Sequence, residues 1–314
     1  LVTVQGVGAK AALAILGIRD PDTFPLIFYR ENCADMALCA DDIDPDFVAS
    51  AGALLINGTH LSQPGVFDAS IKAVTVMKGA GGRVVFDIDY RPVLWGLAGK
   101  DNGEDRFVAD QGVTEALQRV LPLCDLIVGT EEEIHILGGS TDTLAALRAI
   151  RANSSALLVC KRGAQGCVAF PDAVPASLDA GIVGRGFPIE VFNVLGAGDA
   201  FMAGLQRGWL KELPREKCCE IANACGALVV SRHGCAPAMA SWDELRHFLG
   251  GQWPHRLRES AELEQLHWST TRHGERDELT VLAIDHRSQF DDVLAELGDS
   301  DEARIHHFKN LALE

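Results

Sequence analysis

Residues 187–209 read Phe-Pro-Ile-Glu-Val-Phe-Asn-Val-Leu-Gly-Ala-Gly-Asp-Ala-Phe-Met-Ala-Gly-Leu-Gln-Arg-Gly-Trp. Phe187, Ile189 and Val191 alternate as in a strand. Phe201, Leu205 and Trp209 recur every four residues, with Met202 beside Phe201, as on the buried face of a helix. The spacing predicts that Gly196-Ala197-Gly198 turns a strand into a helix and that Asp199 falls in the first helical turn. The amides of Gly196, Ala197 and Gly198 then lack helical partners, and the helix dipole adds positive charge beside them. Small residues let a phosphate approach the backbone. A carboxylate there can accept a proton from a substrate hydroxyl while the amides hold a transferring phosphoryl group. The same residues also read as an ordinary helix start with a dipole-stabilising Asp. Phe201 occupies the third glycine position of a dinucleotide fingerprint, which argues against that motif, and a Walker loop is excluded because no Gly-Lys-Ser/Thr follows.

The surrounding chain predicts an α/β fold. From residue 53, apolar strand-like runs (53–57, 83–88, 125–128, 156–160, 167–170) alternate with helical patterns at 64–78, at 108–120 and after Thr130. This alternation implies a mostly parallel sheet with helices on both faces, and sites in such sheets lie beyond the carboxyl ends of the strands. Polar clusters fall at those ends: Asp87-Ile88-Asp89-Tyr90-Arg91-Pro92, Thr130-Glu131-Glu132-Glu133 and Lys161-Arg162-Gly163-Ala164-Gln165-Gly166. Each has a plainer reading. The first is a loop with its own ion pair, the second a capping box, the third a solvated turn. Upstream, 11–18 and 24–29 predict a β-hairpin around Asp20-Pro21-Asp22, with Arg30 closing the second strand. Residues 221–227 form a small-residue helix, which most often means close packing, and 231–237 its exit loop.

At 314 residues, with a formal charge of −16 and 47% hydrophobic residues, the chain can bury a large core and suits neither nucleic acid nor an anionic membrane as partner. Any phosphate site must therefore be local. Nine cysteines without a Cys-x-x-Cys read as reduced intracellular thiols, and no run approaches membrane-spanning length. A start at Leu1 and an abrupt end at Glu314 read as a fragment at both ends. Beyond Gly250-Gly251, residues 252–277 are polar and read as a linker with one short helix near 260–266. A strand at 279–284 then ends in Asp285-His286-Arg287 before a helix at 288–297, as at the opening of a (β/α)8 barrel. The roughly three dozen residues left cannot close one.

Gly196-Ala197-Gly198-Asp199 followed by Phe201 resembles the signature of the ribokinase-like sugar kinases, the phosphofructokinase-B family. The resemblance covers about residues 1–251 and implies a three-layer α/β/α fold with a small β lid, its N-terminal part missing here. It implies Asp199 as catalytic base and the Gly196, Ala197 and Gly198 amides as anion hole. Phe28-Tyr29-Arg30 resembles the lid segment of ketodeoxygluconate kinases that reaches a sugar acid, which a guanidinium fork suits. Asp87, Asp89 and Arg91 fall in the segment those kinases write Asp-x-Asn-x-Arg-Pro, and with Arg30 they are the implied substrate-binding residues. Glu133 is the implied magnesium residue, with Thr130 in place of the usual Asn. Lys161, Gly163, Gly166 and Asn223 are implied to bind the nucleotide, ATP. Asn193 stands where the family usually has an Asp that helps bind a monovalent cation, and Val194 where it has Thr, so cation activation is left open. The segments 28–38, 87–95, 129–133, 193–201 and 279–289 together resemble bacterial 5-dehydro-2-deoxygluconokinases of inositol catabolism, some of which continue into an aldolase-like domain. The implied function is phosphorylation of 5-dehydro-2-deoxygluconate by a cytoplasmic homo-oligomer. The alternatives are a 2-keto-3-deoxygluconate kinase or fructokinase, a lyase activity of the second domain, and a non-catalytic binding remnant.

Overall fold

The computed structural model describes residues 10–19, 24–30, 33–99, 103, 105–271, 288–297 and 302–311. It divides into two compact units, residues 1–271 and 272–314. In the first, β1 (Leu13–Leu16) and β2 (Leu26–Tyr29) pair antiparallel, Leu13 opposite Tyr29 and Leu16 opposite Leu26, which gives the expected hairpin. The Asp20-Pro21-Asp22 turn lies outside the described residues.

The main sheet has six strands in simple chain order: β3 (Ala53–Asn57), β4 (Arg83–Asp87), β5 (Leu126–Thr130), β6 (Leu157–Lys161), β7 (Cys167–Phe170) and β8 (Ile182–Gly184). The first four run parallel, and β7 and β8 complete the edge antiparallel. The short strand β8 was not predicted from the sequence. Its three residues include a glycine and offer too little alternation to read.

The helices are α1 (Pro45–Ala49), α2 (Pro64–Gly79), α3 (Gln111–Gln118), α4 (Glu131–Gly138), α5 (Thr143–Asn153), α6 (Ala197–Leu210), α7 (Arg215–Val230), α8 (Trp242–Gly250) and α9 (Ala261–Thr271). Strand alternation divides them into two layers. Val84 and Phe86 of β4, Ile127 of β5 and Leu158 of β6 face α2, α3, α4 and α5, meeting Phe67, Val74, Leu117, Ile134 and Leu147. Val85, Leu126, Val128, Leu157 and Val159 face the other way, onto Phe201, Met202, Leu205 and Trp209 of α6 and Cys218, Cys219 and Ala222 of α7. The four-residue stripe read from the sequence is thus the face with which α6 covers the sheet. Helix starts are fixed by side-chain caps: Asp110 on Val113 N at 2.8 Å, Asp142 on Ala145 N at 2.7 Å and Ser241 on Glu244 N at 3.2 Å.

Two expectations change. The strand predicted at 187–191 is an extended segment outside the sheet. Its alternation is real, because Phe187 and Ile189 pack on a third core cluster, but its amides are taken elsewhere. Glu190 N donates to His255 O at 2.7 Å, and Phe192 N and Asn193 N both donate to Val230 O at the end of α7, at 2.8 and 3.0 Å. The linker predicted at 252–277 is packed structure as far as Thr271. Leu257 and Leu263 are buried against Leu228, Leu245 and Phe248, and His267 is buried as well. Isolated apolar residues in a polar stretch escaped the composition reading.

In the second unit, α10 (Ser288–Glu296) matches the predicted helix, and α11 (Glu302–Leu311) follows it. The predicted strand 279–284 and Asp285-His286-Arg287 lie outside the described residues.

The packing of residues 252–271 predicts where the chain can be cut. A chain ending at Thr271 keeps its main thermal transition. One ending at Gly251 loses two buried leucines, each worth about 2 kcal/mol or more, and melts lower by roughly 8–16 °C, as calorimetry of the two truncations will show.

Candidate active site

The carboxyl ends of β4, β5 and β6 bring three of the predicted clusters together around one ammonium that is largely shielded from solvent. Lys161, the last residue of β6, places Nζ 3.3 Å from Asp87 Oδ1 at the end of β4 and 3.5 Å from Glu133 Oε2 in the first turn of α4. Parallel pairing sets this geometry, since Asp87 lies opposite Val128 and Thr130 opposite Lys161. Glu133 is also half of a capping box. Its Oε2 accepts from Thr130 N at 2.7 Å while Thr130 Oγ1 accepts from Glu133 N at 3.3 Å. Arg91 closes the cluster, with Nη2 3.4 Å from Asp89 Oδ1 and Nη1 4.0 Å from Glu133 Oε1. Thr59 donates its hydroxyl hydrogen to Asp89, whose carbonyl oxygen lies at 2.7 Å and Oδ2 at 2.9 Å. Asp89 itself has φ 31°, in the left-handed region that Asp tolerates better than most residues.

Burial dominates the electrostatics. It pushes the Asp87 carboxyl up to about 7 against the pull of Lys161, with Glu133 and Asp89 adding to the rise. Asp89 is raised for the same first reason, opposed by Arg91. Burial also works against the Lys161 ammonium, but Asp87, Glu133 and Asp89 outweigh it and hold its pKa above the ordinary lysine value. The sequence reading gave Lys161 to the nucleotide. In this structure its ammonium pairs with Asp87 and Glu133 of the acidic cluster.

The same ammonium borders the central motif. A Cβ added to Gly198 would lie 3.7 Å from Lys161 Nζ. Gly196 caps α6 with φ 85°, and a Cβ there would meet Cys235 Sγ at 2.5 Å, so this turn needs glycine on both counts. The Ala197 amide is less available than the sequence reading held, because it donates to Val194 O at 3.3 Å. The first helical bond is Ala200 N to Gly196 O at 2.9 Å, which leaves the Gly198 and Asp199 amides at the open end of the helix. Asp199 is exposed in that first turn, with Oδ2 4.0 Å from Cys235 Sγ.

Asn193 and the 231–237 loop hold this turn. Asn193 is buried. Its Nδ2 donates to Gly234 O at 2.8 Å, and its Oδ1 accepts from Leu195 N at 2.9 Å. Both ends of the amide are needed, since one bond requires a donor and the other an acceptor.

Gly163, Gly166 and Asn223 form a neighbouring patch. Gly163 (φ 55°) and Gly166 (φ 89°) shape the turn between β6 and β7, where Arg162 N donates to Gly166 O at 2.7 Å. A Cβ on Gly166 would strike Gly184 O at 2.0 Å. Asn223 is buried, and its Nδ2 donates to Gly184 O at 3.0 Å and Arg185 O at 3.1 Å. Its amide nitrogen is committed to holding the chain after β8 against α7.

Arg30, at the end of the hairpin, is partly engaged. Nη2 pairs with Asp35, reaches Met36 Sδ at 3.6 Å and faces His60 Nε2 at 3.5 Å. Its Nε is buried without a hydrogen-bond partner among the described residues, as is Arg91 Nη1. His60 is fixed by Asn57, whose Oδ1 lies 2.6 Å from Nδ1 and accepts from the His60 amide at 3.1 Å. Burial, then Arg30, lowers the pKa of His60, with Asp35 and Asp89 opposing. Asp35, Thr59, His60 and Cys235 were not singled out in the sequence. Asp35 and His60 lie in single 3-10 turns and Thr59 and Cys235 in loops, too short for any periodicity to mark them. Among the described residues, no group of three or more His, Cys, Asp or Glu is arranged to hold a metal ion.

Two substitutions test this geometry. Lys161→Met leaves Asp87 and Glu133 without their shared cation and should destabilise the fold by about 3–5 kcal/mol, read by denaturant unfolding. Asn193→Asp removes the donor to Gly234 O and sets a carboxylate against that carbonyl. The variant should melt lower than wild type in choline buffer and recover in potassium, whereas the wild type should melt alike in both.

The sequence model of the pfkB family carbohydrate kinases matches residues 14–242, and one described as an uncharacterized protein conserved in bacteria (DUF2090) matches residues 244–314. A 5-dehydro-2-deoxygluconokinase of Geobacillus kaustophilus is 30% identical over 77% of this chain and 68% of its own. One from Shouchella clausii is 30% identical over 76% and 69%. Among solved structures, a putative ribokinase II from E. coli in complex with ATP and magnesium superposes with TM-score 0.61 and 25% identity over 73% of this chain and 68% of its own. Vibrio cholerae fructokinase, at 24% identity and TM-score 0.62 over 77% and 74%, shares the fold. No helix among the described residues is long and apolar enough to cross a membrane. The glycine turn that opens α6, the six-stranded sheet and the match over 14–242 agree: this chain belongs to the pfkB family of carbohydrate kinases.

Proposed function

We propose that this carbohydrate kinase transfers a phosphoryl group from ATP to a hydroxyl of a keto sugar acid, with 5-dehydro-2-deoxygluconate as the favoured substrate. The observation that carries the reading is Asp199, exposed in the first turn of α6 directly behind the Gly196–Gly198 turn. Its carboxylate takes the proton of the acceptor hydroxyl as that oxygen attacks phosphorus, and the bond to the nucleotide's bridging oxygen breaks. The Gly198 and Asp199 amides, with the helix dipole, stabilise the charge on the transferring group.

The acceptor is held by Asp87 and Asp89 through its hydroxyls and by Arg30 and Arg91 through its carboxylate. The buried Arg30 Nε and Arg91 Nη1, neither with a hydrogen-bond partner among the described residues and the second only 4.0 Å from Glu133 Oε1, support that role, because such donors call for an anionic acceptor. The names carried by the Geobacillus and Shouchella relatives support the particular sugar acid. ATP takes the side of Gly163, Gly166 and Asn223. Glu133 would hold a hydrated magnesium ion, which would offset charge on the nucleotide phosphates, since Oε2 is engaged by Thr130 and Lys161 while Oε1 has, among the described residues, only Arg91 at 4.0 Å.

Phosphoryl-transfer assays on a panel of keto sugar acids and neutral sugars test the proposal. Asp199→Asn should lower turnover by about 10²-fold or more with nucleotide affinity nearly unchanged. Arg30→Ala and Arg91→Ala should raise KM for the acid by about tenfold or more, the loss of one charge-assisted bond, and leave neutral sugars little affected. Equal turnover in Asp199→Asn, or equal weakening of both sugar classes, overturns the corresponding role.

A further inference from the structure

Two pieces of chain frame the Gly196–Asp199 turn: the lead-in at 190–193 and the loop at 231–237. Both are fastened by residues beyond 242, where the match to the kinase family ends. On the lead-in side, Glu190 N donates to His255 O at 2.7 Å. The Glu190 carboxylate lies 3.2 Å from Arg256 Nε and 3.2 Å from Arg258 Nε, and the Arg258 guanidinium stacks 4.3 Å over the Phe192 ring. On the loop side, His267 of α9 donates from Nε2 to Pro237 O at 2.9 Å. Its Nδ1 lies 2.8 Å from Glu244 Oε2, and Glu244 pairs with Arg232 at 2.5 Å. Glu244 is fully buried and His267 nearly so, so neither gains its partners from solvent. The two fastenings meet at Asn193, whose amide spans from Leu195 N to Gly234 O.

We propose that residues 255–267 are a brace for the phosphoryl-transfer turn, with Arg258 and His267 as positioning residues that touch neither substrate. The inference rests on the reading of Gly196–Asp199 as the transfer site. Without the brace the lead-in keeps only the bonds of Phe192 N and Asn193 N to Val230 O, and the loop loses its side-chain bond at Pro237 O, so the turn and Asp199 shift against a bound acceptor. The acceptor's own contacts, at Arg30, Asp87, Asp89 and Arg91, lie on other elements and stay intact.

The test is hydrogen–deuterium exchange and steady-state kinetics on the full chain with Arg258→Ala, His267→Ala and His267→Gln. Glutamine retains an N–H for Pro237 O, which alanine does not. In Arg258→Ala and His267→Ala, amides of residues 190–202 should exchange faster while those of β3 keep their protection. Turnover should fall by about ten- to a hundredfold, the cost of a small misplacement, with KM for the sugar unchanged. His267→Gln should restore most of both, and His267→Ala combined with Asn193→Ala should lose less than the sum of the single losses. Unchanged exchange at 190–202 overturns the brace. Faster exchange there with wild-type turnover overturns the proposal through the reading it rests on, since a loosened turn would then be irrelevant to transfer. Faster exchange in β3 as well, unrescued by glutamine, means general destabilisation and also overturns it.

Discussion

The arrangement at the head of the sheet depends on keeping one ammonium charged out of water. Lys161 is surrounded by Asp87 and Glu133, with Asp89 close enough to act on it, and no one of these groups is tolerable alone. A buried lysine without carboxylates neutralises itself, and two or three buried carboxylates without a cation repel and take up protons. Together they fit one register of three neighbouring strands, in which Asp87 ends β4 opposite Val128 while β5 and β6 run two residues further to Thr130 and Lys161. Such a cluster contributes little net stability compared with apolar packing. What it supplies is a fixed, polar floor beside Gly198.

Above that floor, the turn that opens α6 is built from backbone rather than side chains. Gly196 accepts a left-handed conformation and the close approach of Cys235, and Asn193 ties the turn to the 231–237 loop with both halves of one amide. The contrast suits phosphoryl transfer, which asks mainly for placed donors and a placed base. Strand ends and the first turn of α4 carry the charged cluster, whereas the Gly196–Asp199 turn is tied to its neighbouring loop by the neutral hydrogen bonds of Asn193.

Much of this was legible in the sequence where a period or a motif marked it. The strand–helix alternation from residue 53, the stripe Phe201, Leu205, Trp209 and the capping box at Thr130 each have a local physical cause, and each appears where expected. Convergence of the polar clusters followed from their common position at strand ends. Less legible were features decided by tertiary partners. The alternation at 187–191 signalled one buried face but not who would take the amides, and His255 O takes that of Glu190 and Val230 O those of Phe192 and Asn193 just beyond, instead of a strand. Lys161 looked like a nucleotide residue because its loop has the glycines of one, yet the ammonium turns to Asp87 and Glu133. His60 and Cys235 carry no signal in the chain at all. Their places depend on loops folding back on Arg30 and Asp199.

The buried pairing of Arg232 with Glu244 has a consequence for how such a chain is assembled from parts. The two family matches meet between residues 242 and 244, yet the arginine lies on one side of that seam and its carboxylate on the other. A recombination event, or a designer, that joined a foreign second half at the seam would leave Arg232 buried beside whatever residue the newcomer brought. A cut after Thr271, between the two compact units, would leave this ion pair whole, whereas a cut at the seam of the two matches would split it.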